Sequence, residues 1–108
     1  MARARKVKTF KAWFKSPLSL QEIGSTLRTA GLIKDYSVDC ENVYEWIETK
    51  VVGENFHLNM SRQHLDDEGL EEEPIGILLL YSGSEPSDSK LEDLAGGISR
   101  SLNVSVNL

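Results

Sequence analysis

The run Pro74–Tyr81 is the most hydrophobic stretch of the chain, and turn-forming residues flank it on both sides. Eight residues are too few for a helix that crosses a bilayer, but they are a common length for a strand. Because the run contains almost no polar position, it predicts a strand that is buried on both faces of a sheet.

Alternation between apolar and polar residues predicts further strands, each with one buried face. The alternating segments are residues 7–15, 36–40, 56–61 and 104–108. Aromatic and β-branched residues favour a strand for residues 41–52 as well, continuing from the segment before it with a bend near Glu41 and Asn42. A helix is the alternative there, because Val43, Trp46, Ile47 and Val51 also fit one helical face. We expect the strand, followed by a turn at residues 53–55.

Two segments have apolar residues at helical spacing. Ser19 and Glu22 form a capping-box pattern at the start of the first, and Gly31 follows its end, so we predict a helix at residues 20–30. The second follows Ser89 and Glu92, another capping-box pattern, and ends at Asn103. Its apolar stripe consists of Leu91, Leu94, Ala95, Ile98 and Leu102. A close approach of this helix to the sheet would explain the pair Gly96-Gly97.

The predicted element order is β-α-β-β-β-α-β. Two helices packed on one face of a mainly antiparallel sheet of about five strands is the simplest arrangement of these elements, and it gives an α+β fold of ferredoxin-like or related sandwich type. With 108 residues and no linker, repeat or second core, we expect one domain spanning residues 1–108.

Charge is distributed unevenly, although the net charge is only −5. Residues 1–15 contain basic residues and no acidic ones, while the remaining residues hold all 17 acids. We expect residues 1–8 to be flexible and residues 65–74, which contain six acids, to form a solvated loop. An acidic body attracts basic partners and repels phosphate, so we expect a protein partner rather than nucleic acid or a membrane.

Signals for cofactor, metal or enzyme chemistry are weak. No phosphate-binding or dinucleotide-binding glycine motif occurs, and one cysteine with two histidines does not suit a structural zinc site. Cys40 should point towards the core with Tyr36 and Val38, as a structural residue. A lone cysteine fits a reducing compartment, and no apolar segment follows the basic N-terminus as in a secretory signal, so we expect a cytoplasmic protein.

Two groups of side chains could still carry chemistry. His64 with Asp66 or Asp67 could form an acid–base pair or ligate a cation. The carboxylates Asp39, Glu41, Glu45 and Glu48 fall in register on one strand face and could perform acid–base work. A solvated acidic surface explains both groups more simply, and we expect no enzyme, no cofactor and no metal.

The remaining interpretation is a recognition surface. The segments 39–47, 61–64 and 66–73, with the size and acidity of the chain, resemble the small acidic immunity proteins that neutralise toxins in bacterial competition systems. The resemblance implies a non-enzymatic inhibitor that binds a basic toxin domain, for example a nuclease. The residues expected to bind the partner are Glu45, Trp46, His57, Arg62, Asp66, Asp67, Glu71 and Glu72. The alternative is a small-molecule-sensing or regulatory ferredoxin-like domain that dimerises.

Overall fold

The computed structural model describes residues 6–63 and 73–107, with side chains from residue 12 onward. Seven elements lie in these residues, and the bounds that follow are given in chain order. They are β1 (Lys6–Phe14), α1 (Leu20–Thr29), β2 (Val38–Glu41), β3 (Tyr44–Lys50), β4 (Phe56–Gln63), β5 (Ile75–Tyr81) and α2 (Asp88–Leu102).

One sheet contains all five strands, in the order β1-β5-β4-β3-β2. Every neighbouring pair is antiparallel. The strands β2 to β5 therefore form a meander, and β1 pairs with β5 at the edge opposite β2. Two helices and a five-stranded antiparallel sheet confirm the predicted α+β class.

The core lies between one face of this sheet and the two helices. Both helices and alternate residues of the inner strands contribute to a single hydrophobic cluster. On β5, Ile75, Ile77 and Leu79 are buried in it, whereas Leu78 and Leu80 on the other face are only half-buried. The expectation that this strand is buried on both faces is therefore wrong, because both helices pack on the same side. We call the side away from the helices the open face.

Local capping signals set the helix ends. Ser19 Oγ accepts from the Glu22 amide at 3.2 Å, and the Glu22 carboxylate accepts from the Ser19 amide, as the capping-box pattern predicts. The second helix begins earlier than expected, because Ser87 is its N-cap and accepts from the Lys90 amide. Asn103 ends this helix in the left-handed conformation, as expected.

The segment 36–52 contains two strands rather than one bent strand. Asn42 has a φ of 56° and starts a tight reversal, so that β2 pairs back onto β3. The strand interpretation of residues 44–50 is confirmed. The predicted bend near Glu41 and Asn42 is thus a complete hairpin turn, which asparagine tolerates better than most residues.

The C-terminal strand predicted at residues 104–108 is absent from the described residues up to 107. A single bridge joins Asn107 to Trp13, while Val104 and Val106 pack against the core. The observed order is therefore β-α-β-β-β-β-α. Gly96-Gly97 was expected to allow a close approach of α2 to the sheet. The close neighbour of Gly97 is instead Leu32, which follows α1, because a methyl group on Gly97 would meet the Leu32 side chain.

Candidate functional site

A row of paired residues crosses the open face from one edge of the sheet to the other. Trp13 pairs with Gly76, Gly76 with Ser61, Ser61 with Trp46, and Trp46 with Asp39. Residues directly opposite each other on antiparallel strands project to the same face. Two tryptophans are therefore separated by two residues that have little or no side chain.

A groove of about 600 Å³ lies over the Trp13, Gly76 and Ser61 part of this row. Its lining residues are Trp13, Lys15, Tyr44, Ser61, Gln63, Glu73, Pro74 and Gly76. A methyl group built on Gly76 would meet no atom within 4 Å, so the missing side chain of this glycine leaves space at the floor.

The two aromatic residues in the walls of the groove are unusually exposed. Trp13 is 43% exposed and Tyr44 is 53% exposed, and both are among the exposed large hydrophobic residues of the described chain. Large aromatic side chains that lie in solvent beside a concave surface are typical of binding sites. The groove is therefore the candidate site.

Two carboxylates lie beside the aromatic residues at the β2–β3 end of the open face. Asp39 is paired with Trp46 and Glu41 with Tyr44, on alternate rungs of the hairpin. Both acids are exposed, and neither forms an ion pair with another described residue. We call Asp39, Glu41, Tyr44 and Trp46 the acid–aromatic corner.

The structure separates the described residues that were expected to bind a partner. Trp46 and His57 lie half-buried on the open face, His57 in register with Lys50 and Leu80. Glu45 and Arg62 lie on the helix side instead, where the Arg62 side chain is fully enclosed and the Glu45 side chain is 16% exposed. Arg62 therefore presents no surface to a partner, and Glu45 is its ion-pair partner.

The four acidic loop residues of that set, Asp66, Asp67, Glu71 and Glu72, lie outside the described residues, as does His64. Gln63 and Glu73 are the nearest described residues on either side of them, and both line the groove. The proposed pair of His64 with Asp66 or Asp67 stays a prediction.

Two other expectations change in the structure. Asp39, Glu41 and Glu48 share the open face, but Glu45 has the opposite phase, so the four carboxylates do not form one set. Cys40 is exposed rather than directed into the core. Cys40 belongs to the edge strand β2, three of whose four residues are exposed, and it pairs with Glu45 on β3.

Sequence reasoning missed that Trp13 and Gly76 are neighbours on adjoining strands, and both matter for the site. Trp13 has the polar phase of β1, between Lys11 and Lys15, and an aromatic residue in that phase is a signal that could have indicated the groove. Gly76 interrupts an apolar strand, and such glycines often mark a place where another group approaches the backbone. Their pairing could not be read from the sequence, because it depends on which strands are neighbours.

The described residues contain no candidate for two other kinds of site. No helix in this part of the chain has the length and apolar character of a membrane span. Within the same residues, no group of three or more His, Cys, Asp or Glu side chains could hold a metal ion. Comparisons of the chain with protein-family models, with curated proteins and with solved structures gave no match.

Proposed function

We propose that this protein is a non-enzymatic binding module of the immunity or inhibitor type, which binds a cognate toxin domain and neutralises it. The observation that carries the proposal is the groove on the open face, which has the exposed walls Trp13 and Tyr44 and adjoins the carboxylates of Asp39 and Glu41 on its Tyr44 side. The proposed partner is a basic protein, for example a nuclease domain, and the proposed compartment is the cytoplasm.

Aromatic residues are the reason to propose a protein partner. Tryptophan and tyrosine are enriched among the residues that contribute most to binding energy at interfaces, because a rigid ring buries much area at small entropic cost. Trp13 and Tyr44 stand on rigid strands, where their backbones are already ordered before a partner arrives. Binding would therefore cost little additional ordering.

The carboxylates beside the aromatic rings are the reason to propose a positively charged partner. Glu41 is paired with the groove residue Tyr44 and Asp39 with Trp46, and the chain as a whole carries a net charge of −5. Such a surface accelerates encounter with a basic protein and resembles the phosphates that a nuclease binds. An inhibitor that covers a nucleic-acid-binding surface needs this complementarity and no catalytic group of its own.

A capture experiment tests the proposal. The tagged protein is incubated with lysate of the source organism at low and then moderate salt, beside a variant with Asp39→Lys and Glu41→Lys. We expect the wild-type protein to retain one basic protein in near-equal amount, and the variant to bind it at least tenfold more weakly. The captured protein should also be toxic when it is expressed alone, and harmless when the wild-type protein is expressed with it.

A charge-matched control variant carries Glu92→Lys and Asp93→Lys, which change the same number of charges on the exposed side of α2. It should bind like the wild type, since these positions face away from the groove. If both variants lose the partner equally, overall charge rather than the open face controls binding. If no protein is retained at either salt concentration, the inhibitor proposal fails.

One observation favours a second candidate, a small-molecule-sensing domain. A groove of about 600 Å³ has the size of many small-ligand sites. A ligand that binds the folded state raises the melting temperature, so a screen of metabolites should reveal a shift that Gly76→Val abolishes by filling the floor. The absence of any such shift contradicts this candidate.

A further inference from the structure

We infer that the open face binds an extended basic segment of the partner, with an arginine side chain of that segment seated in the acid–aromatic corner. This inference rests on the proposed function, because it assumes that the partner is a protein, and it names the chemistry by which that partner is recognised.

The geometry of the corner fits a cation. Asp39 with Trp46, and Glu41 with Tyr44, form two rungs on the same face of the β2–β3 hairpin. Side chains directly opposite each other on such strands have Cβ atoms about 4.5–5.5 Å apart. A cationic group placed over either ring would therefore lie beside a carboxylate as well.

The chemistry of the corner favours a guanidinium group. Its planar face stacks on tyrosine and tryptophan rings, while its N–H groups donate in parallel to a carboxylate. Both carboxylates are exposed, and no cationic side chain among the described residues pairs with them. A partner's arginine would make both kinds of contact at once, whereas a neutral side chain would make only the stacking contact.

The groove explains why the occupant is a segment and not an isolated residue. Tyr44 belongs both to the corner and to the lining of the groove, so the two surfaces are continuous. Trp46 and Trp13 are separated by three strand spacings, or about 14 Å, which an extended chain of about four residues spans. Such a segment would cross the small residues Ser61 and Gly76 and reach the Trp13 wall.

Charge determines the orientation of the segment. The Trp13 end of the groove has one residue of each sign in its lining, Lys15 and Glu73. Both charged residues of the acid–aromatic corner, Asp39 and Glu41, are carboxylates. We therefore place the arginine at the corner and an apolar or neutral side chain against Trp13. Phosphate-bearing occupants are disfavoured, because they would approach these carboxylates directly.

Two matched peptides test the inference on the full chain. The first is a short capped peptide of alanine and leucine residues with one arginine, and the second has citrulline, which is neutral and nearly isosteric, in place of arginine. The indole N–H signals of Trp13 and Trp46 are followed by two-dimensional NMR, with Trp13→Phe and Trp46→Phe to assign them. We expect the arginine peptide to shift the Trp46 signal and to bind about fivefold more tightly than the citrulline peptide.

Conservative variants separate the corner from the groove. Asp39→Asn with Glu41→Gln should reduce the affinity for the arginine peptide to that for the citrulline peptide, while Glu92→Gln with Asp93→Asn should not. Gly76→Val should weaken the binding of both peptides, because the valine side chain fills the floor of the groove. This variant should fold, since a Cβ at Gly76 meets nothing within 4 Å and a β-branched residue suits a strand. Thermal unfolding of each variant verifies this.

Equal affinities for the two peptides overturn the inference, as does the absence of any indole shift at millimolar arginine peptide. These results are distinct from failure of the proposed function. If a captured protein partner is lost in Gly76→Val but the peptides do not differ, the open face binds a protein without this arginine contact. If the arginine preference holds but no captured protein is toxic, the inhibitor proposal fails and the binding chemistry stands.

Discussion

Arg62 on β4 lies directly across from Glu45 on β3, and its Nη2 donates to Glu45 Oε1 at 3.0 Å. Its Nε donates to the same oxygen at 3.3 Å. Its Nη1 donates to the backbone carbonyls of Ser16, at 3.4 Å, and Leu18, at 3.1 Å. One guanidinium group thus joins the β3–β4 hairpin to the connection between β1 and α1. It does so on the opposite side of the sheet from the groove.

Replacing Arg62 should therefore destabilise the fold strongly. Arg62→Met retains much of the volume but leaves the Glu45 carboxylate, which is 16% exposed, and two carbonyls without their donor. Removing one partner from a buried ion pair costs about 3–5 kcal/mol. We expect a loss of this order in the free energy of unfolding, measured by urea denaturation.

Lys90→Met provides the comparison, because the Lys90–Glu54 pair has side chains that are 53% and 26% exposed. Exposed pairs contribute about 0–1 kcal/mol, so this variant should unfold close to the wild type. Similar losses in the two variants would mean that enclosure of the Arg62 guanidinium does not determine its contribution.

The role of Arg62 could be predicted only in part from the sequence. The alternation of Phe56, Leu58 and Met60 extends to position 62, so the pattern already places this arginine on the buried face of β4. Its partners could not be predicted, because Ser16 and Glu45 are distant in sequence and are brought together by the strand order. Arg62 and Glu45 were instead expected at an interface, since charged residues are usually exposed.

The same distinction between local and long-range information explains the other outcomes. The start of α1 at Leu20 and the strand at residues 44–50 were predicted correctly, because capping residues and β-branched residues act locally. The prediction of a strand at residues 104–108 was wrong, since alternation of apolar and polar residues does not by itself provide a neighbouring strand to pair with. The groove was missed for this reason too, because it requires Trp13, Gly76 and Ser61 to share one rung.

The start of α2 leads to a prediction about two serines. Ser87 accepts a hydrogen bond from the Lys90 amide, so Ser87→Ala should remove the N-cap and lower the free energy of unfolding by about 1 kcal/mol. Ser89 lies within the first turn and caps no amide, so Ser89→Ala should have a much smaller effect. Thermal unfolding of the two variants measures the difference. A larger loss for Ser89→Ala would move the helix start to the position that the sequence pattern suggested.

Two helical glycines should respond in opposite ways to the same substitution. A Cβ on Gly24 would lie 2.5 Å from the ring of Tyr36, whose hydroxyl donates to the Gln21 carbonyl. Gly24→Ala must therefore displace this ring, and we expect destabilisation of about 1–3 kcal/mol.

Gly96→Ala is the matched substitution in α2. There the Cβ would meet only the end of the Arg100 side chain, at 3.2 Å, which is exposed and can move. Higher helix propensity should then stabilise the protein by up to about 1 kcal/mol. Urea denaturation of both variants measures these values, and a stabilising effect of Gly24→Ala would show that Tyr36 moves without cost.

Asn107 should control the stability of the Trp13 wall. The Trp13 amide donates to the Asn107 carbonyl at 3.0 Å, and the Asn107 amide donates to the Trp13 carbonyl at 2.8 Å. Asn107→Pro removes the Asn107 N–H, which is the donor of the second bond. One backbone hydrogen bond contributes about 1 kcal/mol to stability, which corresponds to about a fivefold change in the equilibrium constant for local opening. We expect the Trp13 amide to exchange with solvent deuterium about fivefold faster, while amides between β4 and β5 keep their protection.

Asn107→Ala is the control for this prediction, since it removes only the side-chain contact of Asn107 Nδ2 with the Trp13 carbonyl, at 3.4 Å, and keeps both backbone bonds. Its Trp13 amide should exchange at nearly the wild-type rate. An unchanged rate in Asn107→Pro would mean that pairing with β5 alone holds this edge. A faster rate would show that a segment without regular secondary structure fixes one wall of the groove, and partner binding should then weaken in the same variant.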